Sequence, residues 1–479
     1  MHVNHDRMPC AANSTRRILP TLLGTLTIIV VVAFLSVVGC AGDGAETDTR
    51  GAAADTVAES DGAGAAQSGL RRAASADLGL GGRNDSNAGV PGRWIERTVT
   101  DEELTPEQQT EIRRLESLGY LAGSRSAPGV GGVTVHDREL AGTGHNFYTS
   151  GHFPGALLMD MNGSILHEWR CEFLTAFPDR EDLVTEDRTH RWRRAHLYPN
   201  GDVLAIFEGA GIIKIDKDSN VLWAADNGAH HDLDVHPDGR IFVLTRRAHV
   251  VPEVNRRSPV LEDYVTIMSS DGRELDRVSV LESFLKSDYA RALIALDMEH
   301  HGDVTHTNTV EILDGRLADR IPAFEADNVL ICLRRIDTIA VLDLEAGRIR
   351  WLMAGPWLGP HQPTVLPNGN ILIFDNGEEL EISRVVEFDP VTQETVWQYG
   401  GEPEDGFYSK TCGSNALLAN GNILVTESDG GRAFEVTRDG TIVWEYSNPA
   451  RAGDRGQFIA ALFEMVRLPE DFPLDWLAP

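Results

Sequence analysis

The sequence predicts an all-β fold, a six-bladed β-propeller preceded by a disordered tether and a short helix. Three observations predict it. From about Val130 the chain consists of short apolar runs separated by polar turns. Asn-Gly and Asp-Gly pairs recur between those runs, and such pairs predict type I′ hairpins, whose two central residues need φ > 0. A longer unit also recurs: polar lead-in, apolar strand, Asn-Gly or Asp-Gly turn, second strand, a strand ending in Asp, and a strand ending in Trp. Repeats of about 45 to 65 residues with four strands each indicate a propeller.

In chain order, the first element is a targeting segment. Arg16 and Arg17 precede an apolar run from Ile18 to Val38 that ends in Val37-Val38-Gly39-Cys40. A charged flank, an apolar stretch and small residues before a cut define a secretory signal. The last four residues resemble a bacterial lipobox, so residues 1–39 are expected to be a lipoprotein signal peptide and Cys40 the lipidated residue. The competing reading is an uncleaved anchor, since about 20 apolar residues span a bilayer. Either one places the bulk of the chain outside the cytoplasm, and Ala41 after the cysteine resembles an outer-membrane sorting signal.

Residues 40–100 are rich in Ala, Gly, Asp and Ser and cannot bury enough surface to offset their ordering entropy, so a tether is expected. Within 101–122, Thr105 as N-cap and Pro106 at the first helical position open a short helix that stops near Gly119. Its Ile112, Leu115 and Leu118 share one face and are expected to dock on the following domain; no chemistry is assigned to it.

Residues 130–470 carry the six units. Residues 361–399 run through the pattern fully, 412–446 and 193–223 repeat it, and the unit endings are Trp169, Trp223, Trp351, Trp397 and Trp444. The interval between Trp223 and Trp351 fits two units, one without Trp, marked by Asp238-Gly239 and Asp271-Gly272. The tryptophans are read as packing between neighbouring blades. Ring closure falls either to Ala460–Leu468 or to the strand near Val133.

Hydrophobic residues make up 42% of the chain, enough for a sizeable core, and the net charge is −30. That acidity argues against nucleic acid, which needs a basic footprint. Five cysteines are present. Cys10 and Cys40 belong to the signal region, which leaves Cys171, Cys332 and Cys412 with at most one disulfide among them. No CxxC pair exists, so no structural zinc site is expected.

In a propeller the first strand of each blade lines the central channel, so equivalent positions converge on the axis. The residue seven before the first hairpin turn is Arg193 in the second unit, His231 in the third, His361 in the fifth and Gly413, beside Cys412, in the sixth; His306 stands eight before Asp314-Gly315. Strand alternation puts Leu330, Cys332 and Arg334 on one face, with Leu333 and Arg335 on the other, and pairs His306 with Asn308. By pattern alone either arginine could face the channel. Three imidazoles and a guanidinium could attack and stabilise a tetrahedral oxyanion ester. Three histidines could equally hold a metal, although a neighbouring arginine tells against that. The rival readings are a metal-dependent hydrolase or lactonase, and a non-enzymatic module binding an anionic ligand or partner.

The run Gly359–Gly377, with His-x6-Asn-Gly-Asn and Phe-Asp-Asn-Gly, resembles the bacterial aryl-sulfate sulfotransferases. So do His230-His231-Asp232, His306-Thr307-Asn308 with a strand arginine downstream, and Gly431-Arg432-Ala433-Phe434-Glu435. The resemblance covers roughly residues 140–450. It implies a six-bladed propeller that moves a sulfuryl group from a phenolic sulfate ester to a phenol, with no cofactor, no metal and no nucleotide sulfate donor. It implies His361 as nucleophile, His231 as acid/base, and His306 with Arg334 as stabilisers of the sulfuryl oxygens. Asn308 and His230 are expected to assist in substrate binding, and His230 is a candidate to exchange roles with His231.

Overall fold

The hairpin turns show how the local sequence sets the strands. Asn200-Gly201, Asp238-Gly239, Asn368-Gly369 and Asn420-Gly421 each join the first and second strands of a blade. They are not type I′. Only the glycines have positive φ (81 to 92°), while the preceding Asn or Asp does not. Each turn begins one residue earlier than expected, with the Gly amide bonding back to Tyr198, His236, Leu366 or Leu418. This is a type I turn followed by a left-handed glycine. Pro199, Pro237 and Pro367 explain the shift, because a proline ring presets φ for the first central position of a type I turn.

A computed structural model describes residues 104–477 apart from 117, 291–301 and 454. The expected signal peptide, the lipidation site at Cys40 and the tether lie outside the described residues. Those described belong to one unit, Gly92–Pro479. Among them no helix is long and apolar enough to cross a membrane.

Six antiparallel sheets form the blades of the propeller. The innermost strands, in blade order, are Leu462–Leu468, Arg194–Leu197, Ala229–Val235, Thr307–Ile312, His361–Val365 and Ser414–Leu417. Both candidate closing segments are used. Leu462–Leu468 pairs with His145–Ser150 and becomes the inner strand of the first blade. Gly132–His136 pairs with Ile442–Ser447 and adds a fifth, outer strand to the last blade.

Four of the blade tryptophans link their blade to the next. The indole N–H of Trp169 donates to Gly201 O, that of Trp223 to Ser270 O and that of Trp397 to Arg438 O, while Trp444 completes the circle by donating to Met161 O. Trp351 instead packs edge-on against Phe324, ring centres 5.0 Å apart. Apolar clusters fill the gaps between successive sheets, as where Leu330, Ile339 and Val341 of the fourth blade meet Ile371, Ile373 and Phe388 of the fifth.

Before the propeller, Pro106–Glu116 is helical. Thr105 and Gln108 bond reciprocally through side chain and backbone at its start, a capping box. Leu115 is fully buried against Ala248 and Leu261 of the third blade, with Ile112 and Leu118 beside it. Cys171, Cys332 and Cys412 are all buried free thiols.

Candidate active site

The channel mouth is built from inner-strand tops that break regular geometry. His231, His306, Gln362 and Cys412 have φ of 53, 46, 45 and 57°, sparsely populated for residues with a Cβ. Pairing shifts register beside three of them, between Val243 and Thr245, Thr307 and Thr309, and His361 and Thr364. Such bulges re-aim side chains at the ends of strands. They also end simple alternation. His306 and Asn308 therefore do different jobs, and Arg334 lies outside the strand it was assigned to, in a 3-10 turn spanning Arg334–Ile336.

His361 is buried, and its tautomer is set by its neighbours. The Asn376 amide nitrogen donates to Ser409 O and Cys412 O, both at 2.8 Å. Its oxygen must therefore accept, and it sits 2.6 Å from His361 Nδ1. Gly359 O lies 3.1 Å from the same nitrogen. The ring proton is held on Nδ1, which leaves Nε2 with a bare lone pair, buried and with no protein partner. Burial, then the charges of Arg334 and Arg193, push this imidazole well below the ordinary histidine pKa. It is neutral at physiological pH, as a nucleophile must be.

His231 Nε2 faces the channel, while its Nδ1 lies 2.7 Å from His230 Nδ1. Behind it, His230 Nε2 stands 3.5 Å from the Asp263 carboxylate. Burial, reinforced by the charge of Asp303, raises the pKa of Asp263. Burial lowers both histidines well below their usual value. His230 is bonded directly to His231, while Asp263 stands behind it without a hydrogen bond to its Nε2. His230 thus sits behind His231 and does not line the channel beside it, a placement that differs from the expected substrate contact.

His306 is held by Asp303, Nδ1 to Oδ2 2.5 Å, with its ring centre 4.9 Å from that of His231. Burial opposes the Asp303 charge, but the charge and hydrogen bond of His306 outweigh it and hold this carboxyl well below its usual range. Arg334 is mostly buried, paired with Glu378, and its charge acts on His361. Arg335 is exposed and contacts the Asp303 carbonyl. Both line a cavity of about 480 Å³ together with His306, Asp303 and Arg246. Asn308 departs from the expected substrate contact as well: its amide donates to Pro360 O at 2.9 Å and its oxygen accepts from Thr309. It positions the segment that carries His361.

Several site residues were not assigned from sequence. Arg193 occupies the equivalent inner-strand position, buried, with an unpartnered Nε. Asn376 lies inside the motif already singled out. Tyr120 was missed because it follows the helix to which no chemistry was assigned. Its hydroxyl reaches His231 Nε2 at 2.5 Å and His306 Nε2 at 3.3 Å.

The sequence model of the arylsulfotransferase (ASST) family matches residues 194–449. The chain belongs to the arylsulfotransferase family. The match spans the inner strands that carry His231, His306 and His361, and family membership supports arylsulfotransferase activity. Comparison with curated proteins found no match. Among solved structures, this chain is similar to a protein of unknown function from Bacteroides caccae, with 13% identity over 67% of this chain and 98% of that one and a TM-score of 0.44. It is also similar to a streptogramin B lyase, with 14% identity over 73% and 97% and a TM-score of 0.39. A virginiamycin B lyase from Staphylococcus aureus gives 11%, 53%, 69% and 0.32. Likenesses this distant carry no argument about chemistry.

Glu208, His230 and His231 place three potential metal-ligating atoms within 4.8 Å of one another. Their chemistry fits a metal poorly. The Arg246 guanidinium lies 3.3 Å from Glu208 Oε1, and Glu208 Oε2 already accepts the His231 amide at 3.1 Å. The two histidine nitrogens are bonded to each other. Dialysis against a strong chelator is expected to leave arylsulfate turnover unchanged. A stoichiometric metal whose removal abolishes turnover would favour the hydrolase reading.

Proposed function

We propose that the protein moves a sulfuryl group from a phenolic sulfate ester to a phenol through a sulfohistidine at His361, without a nucleotide sulfate donor. The observation that carries this reading is the bare, buried Nε2 of a neutral imidazole beside Arg334. In the first half-reaction His361 Nε2 attacks sulfur and the S–O bond to the aryl group breaks. The departing phenoxide takes a proton from His231 Nε2 as the His230 Nδ1 proton moves to His231 Nδ1, and Asp263 resupplies His230 once the 3.5 Å gap to its Nε2 closes. In the second, a phenol gives its proton back to His231 and takes the sulfuryl group from His361. Arg334 and Arg193 balance the charge on the non-bridging oxygens, as fixed cationic groups do in a site shielded from water, and His306 holds the same group in place.

Exposure of the protein to 4-nitrophenyl sulfate without acceptor tests the reading. At the earliest quench times one sulfuryl group is expected on a proteolytic peptide containing His361, and an unmodified peptide at those times alongside nitrophenol release would overturn it. The acid/base role has its own signature. His231→Ala is expected to slow transfer from phenyl sulfate, whose leaving group has a pKa near 10, by about 10²-fold. The better leaving group nitrophenoxide needs less help and should suffer less. Equal losses for both donors would remove His231 from this role.

The N-terminal segment supports a location outside the cytoplasm, with a lipid on Cys40 holding the enzyme to the outer membrane. A mature chain beginning at a diacylated Cys40 would establish it; one that retains residues 1–39 would not.

A further inference from the structure

A strap of the chain crosses the channel mouth. Leaving the N-terminal helix, it runs from Leu118 at the third blade to Arg125 beside the first and last. It is docked along its length. Arg246 donates to Leu118 O at 2.5 Å, Arg191 to Tyr120 O, and Tyr120 N to Asp187 O at 3.2 Å. Ala461 N donates to Ala122 O at 2.8 Å and Ile459 N to Arg125 O at 2.9 Å. Gly119 lies so close to the Asp187 carbonyl that a Cβ there would meet its oxygen at 2.6 Å. The strap is held where it places one side chain, Tyr120, in the site.

That side chain is a phenol. Its oxygen bonds to His231 and His306, and its ring meets His231 edge-on at 5.4 Å. Arg193 lies over the ring, 5.3 Å from its centre. In the mechanism above, the oxygen beside His231 Nε2 is the one that loses or gains the aryl proton. The cavity beside Tyr120 is lined by Arg246, Arg334 and Arg335 together with Glu111 and Asp303.

We propose that Tyr120 is the enzyme's own acceptor and becomes a tyrosine O-sulfate; the inference rests on the sulfohistidine reading. The N–S bond at His361 breaks and its electron pair returns to Nε2. A bond forms between sulfur and Tyr120 Oη, and the phenolic proton passes to His231 Nε2. Neither oxidant nor reductant is involved, and a phenolic sulfate ester supplies the group. Burial, reinforced by the charge of Glu208, raises the phenol pKa well above its usual value. The hydroxyl therefore keeps its proton until His231 accepts it.

The test exposes the full chain to 4-nitrophenyl sulfate with no added phenol and locates the sulfuryl group by peptide fragmentation. It is expected on Tyr120. In Tyr120→Phe it should remain on His361, and in His361→Ala neither site should be labelled. Gly119→Ala, which displaces the strap without removing the phenol, should lower the Tyr120 label relative to that on His361 by about tenfold or more. Nitrophenol release with label on His361 and an unmodified Tyr120 would overturn the proposal and leave the sulfohistidine reading standing. No label anywhere, with no nitrophenol released, would overturn both.

Discussion

His361→Ala abolishes transfer in both directions, with an expected loss of about 10⁴-fold or more in kcat, the scale seen when a nucleophile is removed from an assembled site. At 1.36 kcal/mol per tenfold, that is about 5.5 kcal/mol of barrier. The size of the effect follows from how completely the protein prepares this one nitrogen. Asn376 is held by two backbone carbonyls, so its oxygen can only accept, and the His361 proton is kept on the far side of the ring. Burial and two guanidinium groups keep the ring neutral. No neighbour can take over. Cys412 has a pKa pushed up to about 11, first by burial, and remains a protonated thiol. His231 Nε2 is committed to proton transfer. The measurement is single-turnover nitrophenol release from 4-nitrophenyl sulfate at saturating donor, together with the label on the residue 361 peptide. Release within tenfold of the unsubstituted protein would sink the nucleophile assignment.

The propeller was readable because its signals repeat. Asn-Gly and Asp-Gly turns, strands ending in Asp and blade tryptophans recur often enough that a single ambiguous stretch, such as the third blade without its Trp, does not hide the pattern. The meeting of His231 with His306, ring centres 4.9 Å apart, followed from rotational repetition alone. What failed was finer. The turn type was misread because the rule for Asn-Gly was applied without the preceding proline, whose fixed φ moves the turn by one residue. Face assignments by alternation failed at the strand tops, where left-handed His231 and His306 and the adjoining bulges break the period of two. Asn308 and His230 were expected at the substrate from the family resemblance; in the structure the Asn308 amide bonds to Pro360 O and His230 bonds to His231. Tyr120 was out of reach for a different reason. Its contacts with His231 and His306 join positions 111 and 186 residues apart, and nothing periodic marks a strap.

Closure of the ring is where stability should be most exposed. Arg467, in the strand from the C-terminal end that completes the first blade, is buried, as is its partner Glu435 in the last blade. The pair stands at 3.0 Å, and Arg467 also donates to Asn146 and Gly142. Its guanidinium lies 4.9 Å from the centre of the Trp444 ring, the tryptophan whose N–H crosses the same seam. Arg467→Ala strands a buried carboxylate with only Asn420, Asn422 and the Gly142 amide to stabilise it. Removing one partner of a buried pair costs about 3–5 kcal/mol, and here the cost falls on the contact that joins the two ends of the sheet circuit. The expected readout is a lower urea midpoint with an unchanged slope. Neutralising both partners, in Arg467→Met with Glu435→Gln, should recover part of the loss, because no uncompensated charge then remains buried. If Arg467→Ala costs less than about 1 kcal/mol, the value of an exposed pair, the seam is held by backbone pairing and the Trp444 bond alone.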